Sequence, residues 1–244
     1  LNSALARAQW IILATPVRSI LNLLEEIMPF LTPNSTVFDL GSVKTPIMEK
    51  MATLPRSINV LGGHPMCGKE TSGIEYADMC LYREAKFVLT PIERTKPEVL
   101  TLGVNIVKAV GAHPFILSPQ QHDKLVAFIS HLPYVLACSL VNCTLEKAES
   151  ERDLLPLVAS GFRDTTRLAS SDLTMFLDIL ISNREAVLSA VKSYRKQLNF
   201  FEQLLMELDE EELHSYLSRA VEGRIKILQI INEEHHDKFN NTTD

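Results

Sequence analysis

The sequence has no excess of positive charge: 24 Lys and Arg stand against 30 Asp and Glu in 244 residues, a net charge of −6. A chain built to neutralise phosphate backbones carries the opposite balance, so nucleic acid is not expected as a partner. Cysteine is scarce. Cys67, Cys80, Cys138 and Cys143 form neither a C-x-x-C pair nor the Cys/His spacing of a zinc site, so no metal is expected and a reduced, cytoplasmic setting is the simplest reading. Long uninterrupted apolar runs are missing as well. Stretches 10–24 and 125–145 are broken by Pro16 and Arg18 and by His131 and Pro133, which argues against a bilayer span. The opening Leu1-Asn2-Ser3 has neither an initiator Met nor a charged region ahead of an apolar core, so no signal peptide is read there, and a chain whose beginning is missing is expected. Internal repeats and low-complexity segments are absent. What is there, 46% hydrophobic and 22% charged residues, is the composition of a globular chain with room for one large domain or two modest ones.

Two halves differ in texture. Up to about Ser118, short apolar runs at 10–15, 37–40, 59–61, 86–90 and 114–117 are bounded by Gly or Pro and read as buried strands of a parallel sheet. Amphipathic stretches lie between them. Residues 16–31 align Val17, Ile20, Leu24, Ile27 and Leu31, and residues 97–110 align Val99, Leu102, Ile106 and Val110. Alternating strand and helix makes residues 1–118 half of a doubly wound sheet. From 119 to 244 the periodicity is helical throughout. Ser118-Pro119 reads as an N-cap opening a long helix that Pro133 should kink or loosen by a turn, and further helices are expected at 154–159, 173–181, 184–208 and 210–231. Apolar residues on more than one face of these helices predict an intertwined dimer.

Four constellations carry chemistry. The loop Gly62-Gly63-His64-Pro65-Met66-Cys67-Gly68-Lys69-Glu70-Thr71-Ser72-Gly73 follows a strand, and a His at a strand's carboxyl end stands where open α/β sheets place ligands. The alternative for His64 is a turn residue that caps a helix. Asp39-Leu40-Gly41-Ser42-Val43-Lys44 is a second strand end, with a Ser hydroxyl for the same crevice or for an ordinary helix cap. Gln121-His122-Asp123 with Ser130-His131-Leu132-Pro133 is the third; His131 is either a site residue or a satisfied core histidine. In Gly161-Phe162-Arg163-Asp164-Thr165-Thr166-Arg167, Asp164 suits a helix cap, and Arg167 serves either a structural ion pair or a fork for a substrate carboxylate.

Taken in order, D-x-G-S-V-K, G-G-H-P-M-x-G-K-E-x-S-G, H-D-x(7)-S-H-L-P and G-F-R-D-x-T-R resemble the prephenate/arogenate dehydrogenase family of tyrosine biosynthesis. The resemblance implies a Rossmann-type nucleotide-binding domain over 1–118, N-terminally incomplete here, and an all-α substrate-binding and dimerisation domain over 119–244. It implies oxidation of a cyclohexadienol by hydride transfer to NAD or NADP, coupled to loss of carbon dioxide. By motif position, His64 would take the hydroxyl proton, Ser42 would hold the hydroxyl, and Arg167 would bind a substrate carboxylate. His131, His122, Tyr134 and Glu70 would line the substrate. Thr15, Pro16, Ser42, Val43 and Lys44 would meet the cofactor. Tyr134 stands where many members have a second His, which leaves preference for a keto or an amino side chain open.

The resemblance also implies a strand and G-x-G-x-x-G turn ahead of these blocks, and none of the nine glycines forms that pattern. The strand at 10–15 corresponds to the fourth of the fold, so a fragment lacking about two βα units is expected. Two other functions fit the same pattern: a different Rossmann-plus-helical hydroxyacid dehydrogenase, or a non-catalytic dimeric remnant without the cofactor cradle.

Overall fold

The computed structural model describes residues 2–68 and 74–240. It divides into two compact units, one up to Ala190 and one from Val191 on. The chain opens with a single helical turn, α1 (Asn2–Leu5), followed by β1 (Trp10–Leu13), α2 (Val17–Ile27), β2 (Thr36–Asp39), α3 (Thr45–Ala52) and β3 (Asn59–Pro65). Then come β4 (Lys86–Thr90), α4 (Pro97–Ala109) and β5 (His113–Ile116). The five strands lie in the order β1-β2-β3-β4-β5.

One expectation about the sheet is corrected. β1, β2 and β3 run parallel, and β4 runs parallel to β5, but β3 and β4 are antiparallel, with His64 opposite Val88. Parallel neighbours need a crossover, usually helical. Between β3 and β4 the described residues supply only a short helical turn at Ile74–Tyr76, so the chain comes back along the edge it left. A fully buried strand reads as the same apolar run in either direction, which is why its direction is not visible in the pattern.

Side-chain alternation sorts the sheet residues into two cores. Val37 and Val60 pack with Ile20, Leu24, Ile47 and Met51 under α2 and α3, whereas Phe38, Leu61, Phe87 and Leu89 pack with Val99 and Val107 under α4. The α2 stripe Val17, Ile20, Leu24 and Ile27 is buried as its spacing predicts. The α4 stripe is corrected: Val99, Gly103 and Val107 face inward, while Leu102 and Val110 are exposed. A Cβ on Gly103 would run into Leu61, so the helix docks through its smallest residue.

The helical half is α5 (Pro119–Val126), one wide turn at Ala127–His131, α6 (Leu132–Ala148), α7 (Ser160–Thr166), α8 (Leu173–Ser182), α9 (Arg184–Glu207) and α10 (Glu210–Asn240). Ser118 caps α5 by accepting the Gln121 N–H at 3.2 Å. Pro133, which has no N–H to give, sits just after the π-helical turn that its ring opens in the ladder. The whole run Pro119–Ala148 is long and apolar enough to cross a membrane by length and composition alone. Its buried His122, Asp123 and His131 bond to β3, α3 and the α8–α9 junction, so one face of the run is tied into this fold while Leu125, Phe128, Ile129, Leu140 and Leu145 are exposed. Pro156 limits the helix expected at 154–159 to a short turn at Leu155–Leu157. Phe176 and Ile179 of α8 join the α2/α3 core, and buried Asp178 pairs with Arg18 at the start of α2. In the second unit, Phe200 and Phe201 pack on Tyr216 with ring centroids 5.8 and 5.7 Å apart.

Candidate active site

The loop after β2 is held from within. One Asp39 carboxylate oxygen accepts the Gly41 N–H at 2.9 Å and the Lys44 ammonium, and Lys44 Nζ also donates to the Gly63 carbonyl at 2.6 Å. Both side chains have no exposure at all. Burial pushes the Asp39 carboxyl up and the Lys44 ammonium down, and each partner's charge works against that. This clip ties β2 to β3 and holds Gly63 hard against Phe38, where a Cβ would lie 2.7 Å from the ring. Lys44 was expected on the cofactor. The structure turns it inward instead, with its ammonium committed and its backbone N–H bonded to Asp123 Oδ1 at 2.7 Å. Val43 is likewise buried in the core, so only its backbone is left to meet a ligand.

Asp123 replaces the expected Ser cap of α3. Its two carboxylate oxygens accept the Lys44 and Thr45 N–H groups, each at 2.7 Å, at the start of that helix. Oδ1 also lies 2.7 Å from Nδ1 of His122, whose Nε2 lies 2.8 Å from Nδ1 of His64. Asp123, His122 and His64 thus form a continuous hydrogen-bonded line from a helix cap to the end of β3. Hydrogen bonds from His122, Thr45 and the Lys44 and Thr45 amides hold the Asp123 carboxyl below the usual carboxylate range against the opposing effect of burial. Burial first, then His122, Lys44 and His131, press the His64 imidazole well below its ordinary value, so it is neutral near pH 7. His131 is 1% exposed and is lowered by burial to about 4. Its Nδ1 lies 3.2 Å from the side-chain amide of Asn183, which also donates to the Asp123 carbonyl at 2.8 Å.

Beside this line opens a cleft of about 590 Å³. Thr15 and Pro16 after β1, Gly41 and Ser42 after β2, Pro65 beside His64, and Met175 of α8 are among its lining residues. It therefore lies off the carboxyl ends of three parallel strands, where doubly wound sheets bind ligands. The structure brings Thr15, Pro16 and Ser42 to this cleft and joins His64 to His122. Tyr134 is placed elsewhere: it stacks on Phe176 with ring centroids 3.7 Å apart inside the α2/α3 core and is not among the residues lining the cleft. Arg167 is exposed, opens the turn Arg167–Ser170 after α7, and is not among the residues lining the cleft. Asp164 lies within α7 rather than capping a helix; the next helix, α8, is capped by Asp172, which accepts the Met175 N–H at 2.7 Å. Glu70 falls outside the described residues. Sequence reasoning missed Asn183 and Asp178, and the only hint of the latter was an acid alone in the apolar run of α8.

The family model described as "Prephenate dehydrogenase, nucleotide-binding domain" matches residues 2–123, and that described as "Prephenate dehydrogenase, dimerization domain" matches residues 118–219. A prephenate dehydrogenase of Bacillus subtilis is 33% identical over 228 residues, covering 91% of this chain and 60% of that protein. The chain spans about 60% of the length of the curated relatives it matches. The crystal structure of the Aquifex aeolicus prephenate dehydrogenase, solved with hydroxyphenyl propionate and NAD+, superposes with a TM-score of 0.85 at 34% identity, over 90% of this chain and 76% of that one. The Synechocystis arogenate dehydrogenase does so with a TM-score of 0.83 at 33% identity, over 93% and 82%. With the two family models matching in order, one over residues 2–123 and the other over 118–219, the chain belongs to the prephenate dehydrogenase family.

Proposed function

We propose that the protein oxidises and decarboxylates prephenate or arogenate with NAD or NADP, and that His64 is its general base. The observation that carries this reading is the line Asp123–His122–His64 beside the strand-end cleft. An ionised carboxylate can only accept, so it holds a proton on Nδ1 of His122, and with a single proton on that ring Nε2 is the acceptor. His64 then donates from Nδ1 and keeps the lone pair of Nε2 for the substrate hydroxyl. Ser42, half-buried in the cleft lining, holds that hydroxyl. His131 meets another polar atom of the substrate, and Arg167 receives a carboxylate.

A nicotinamide dinucleotide, when bound, supplies the hydride acceptor. Thr15, Pro16 and Ser42 are suited to its nicotinamide end because they line the cleft off the strand ends. The amino end of α2 is less suited to a phosphate, since Asp178 already accepts the Arg18 N–H there at 2.9 Å. The sheet half, 1–118, serves the cofactor and the helical half, 119–244, serves substrate and a homodimer. The dimer is supported by the exposed apolar residues of the second unit, among them Val221, Ile225 and Ile227. Four free cysteines accord with a cytoplasmic setting.

The test is NAD- and NADP-linked turnover of prephenate and of arogenate by the purified protein, beside His64→Asn. Formation of hydroxyphenylpyruvate or tyrosine that His64→Asn abolishes supports the reading. Turnover by His64→Asn within a few-fold of wild type, or none by the wild-type protein with either substrate, overturns it.

A further inference from the structure

Two features of the α8–α9 junction fix a proton that the reaction has not yet used. Asn183 is 7% exposed, and its side-chain nitrogen sits 2.8 Å from the backbone carbonyl of Asp123. A carbonyl oxygen only accepts, so this contact determines which way the amide faces: Nδ2 toward Asp123, Oδ1 away. The same nitrogen is 3.2 Å from Nδ1 of His131. An amide nitrogen only donates, so Nδ1 of His131 must accept, and a neutral His131 carries its proton on Nε2. The backbone fixes the amide, and the amide fixes the ring.

We propose that Asn183 is a positioning residue that locks His131 as the Nε2–H tautomer, so that His131 is a constant hydrogen-bond donor toward an acceptor atom of the substrate, a carboxylate or carbonyl oxygen, and never the base. Among the described residues, no group bonds to Nε2 of His131, so that donor is available. The titratable groups that act on the ring are Asp123 and His122 of α5, and the ring in turn acts on His64 of β3. The ring stays neutral down to about pH 4, which keeps the donor in one form over the working range. The division of labour is then clear: an aspartate carboxylate sets the tautomer of one histidine pair for accepting a proton, and an asparagine amide sets that of the third histidine for giving a hydrogen bond. That Nε2 serves a substrate rests on the dehydrogenase reading; the tautomer does not.

The experiment is ¹⁵N NMR of histidine-labelled protein, with the His131 resonances identified by their loss in His131→Gln. The expected result is an imidazole protonated on Nε2 at pH 7, converted by Asn183→Asp to one protonated on Nδ1 or on both nitrogens, because a carboxylate can only accept. An Nδ1–H ring in the wild-type protein, or a ring unchanged by Asn183→Asp, overturns the proposal whether or not the protein turns over a cyclohexadienol. The wild-type measurement needs no variant, so a poorly folding substitution leaves that arm intact. In steady state, Asn183→Asp should raise KM roughly tenfold with a smaller change in kcat, as expected for loss of one hydrogen bond to a charged group. A kcat loss with KM unchanged would make Asn183 part of the proton-transfer machinery and would also overturn the proposal.

Discussion

The clip at residues 39–44 and the histidine cluster at 64, 122 and 131 are each built on a buried carboxylate, Asp39 in one and Asp123 in the other. They differ in what is left over. Lys44 spends its ammonium on Asp39 and Gly63, and both side chains are sealed from water. In the histidine cluster each bond consumes one ring nitrogen, and among the described residues nothing bonds the second nitrogen of His64 or of His131. The clip leaves over only Oδ2 of Asp39, shut away from water without a partner among the described residues, and builds a loop, whereas the histidine line leaves ring nitrogens that can exchange a proton. The remaining predictions each press on one side of that contrast.

The largest effect is expected at His64. His64→Asn keeps a polar side chain but removes the proton-accepting Nε2, and turnover should fall roughly 10²- to 10⁴-fold with KM changing much less. Because the ring is held neutral well below its ordinary value, the acid limb of kcat/KM should lie below pH 6.5. Turnover within a few-fold of wild type would place the base elsewhere. On the other side, Lys44→Met leaves Asp39 buried without its partner and should cost about 3–5 kcal/mol of stability, read as a large drop in the thermal midpoint. If instead the midpoint holds and NAD affinity falls, Lys44 serves the cofactor and the contrast between the two clusters collapses.

How much of this is visible in the sequence follows the same line. Strands were legible to within a few residues because each is a short apolar run closed by Gly or Pro. The capped start of the long helix and its Pro133 interruption were legible for equally local reasons. The direction of β4 was not, since burial on both faces erases alternation. The stripe of α4 was misread because Gly103 counts as nothing on a hydrophobic scale yet makes the closest approach. His64 and His122 stood out by motif, but their junction spans 58 residues of chain, and the Asp123 bond to Lys44 spans 79. Lys44 reads as a cofactor contact because a cation beside a Ser at a strand end looks like one, and its bonds to Asp39 and Gly63 appear only in the folded chain. Asn183 belongs to no motif, and its meaning comes only from the carbonyl and the ring on either side of it.

A third test uses pH and stability. An unfolded histidine takes its proton near pH 6.5, whereas folded His131 does so only near 4. Between those values the unfolded chain binds a proton that the native chain does not, so stability falls as pH drops through this window, by up to about 3 kcal/mol at its lower end. His64, depressed in the same direction, adds to the slope. The thermal midpoint measured from pH 7.5 to 4.5 should therefore decline more gently in His131→Gln than in wild type. Parallel curves would mean that His131 titrates freely and does not belong to a sealed cluster.

The smallest effect is expected at Arg167, which belongs to neither cluster and so tests how far the site extends. It is exposed, at the start of the turn Arg167–Ser170, directly after Thr166, whose hydroxyl donates to the Phe162 carbonyl at 2.7 Å. Arg167→Lys keeps the charge and removes the planar fork, so it separates bidentate recognition from a general positive field. A carboxylate fork predicts a KM for substrate raised roughly tenfold with kcat and the thermal midpoint nearly unchanged, since an exposed side chain adds little to stability and a lost charged hydrogen bond costs about that much in affinity. A structural ion pair predicts the reverse, a lower midpoint with KM intact. Steady-state kinetics and a melting curve on this one variant decide between the two, and the second outcome would confine the working site to residues around the cleft of Thr15, Ser42 and Met175.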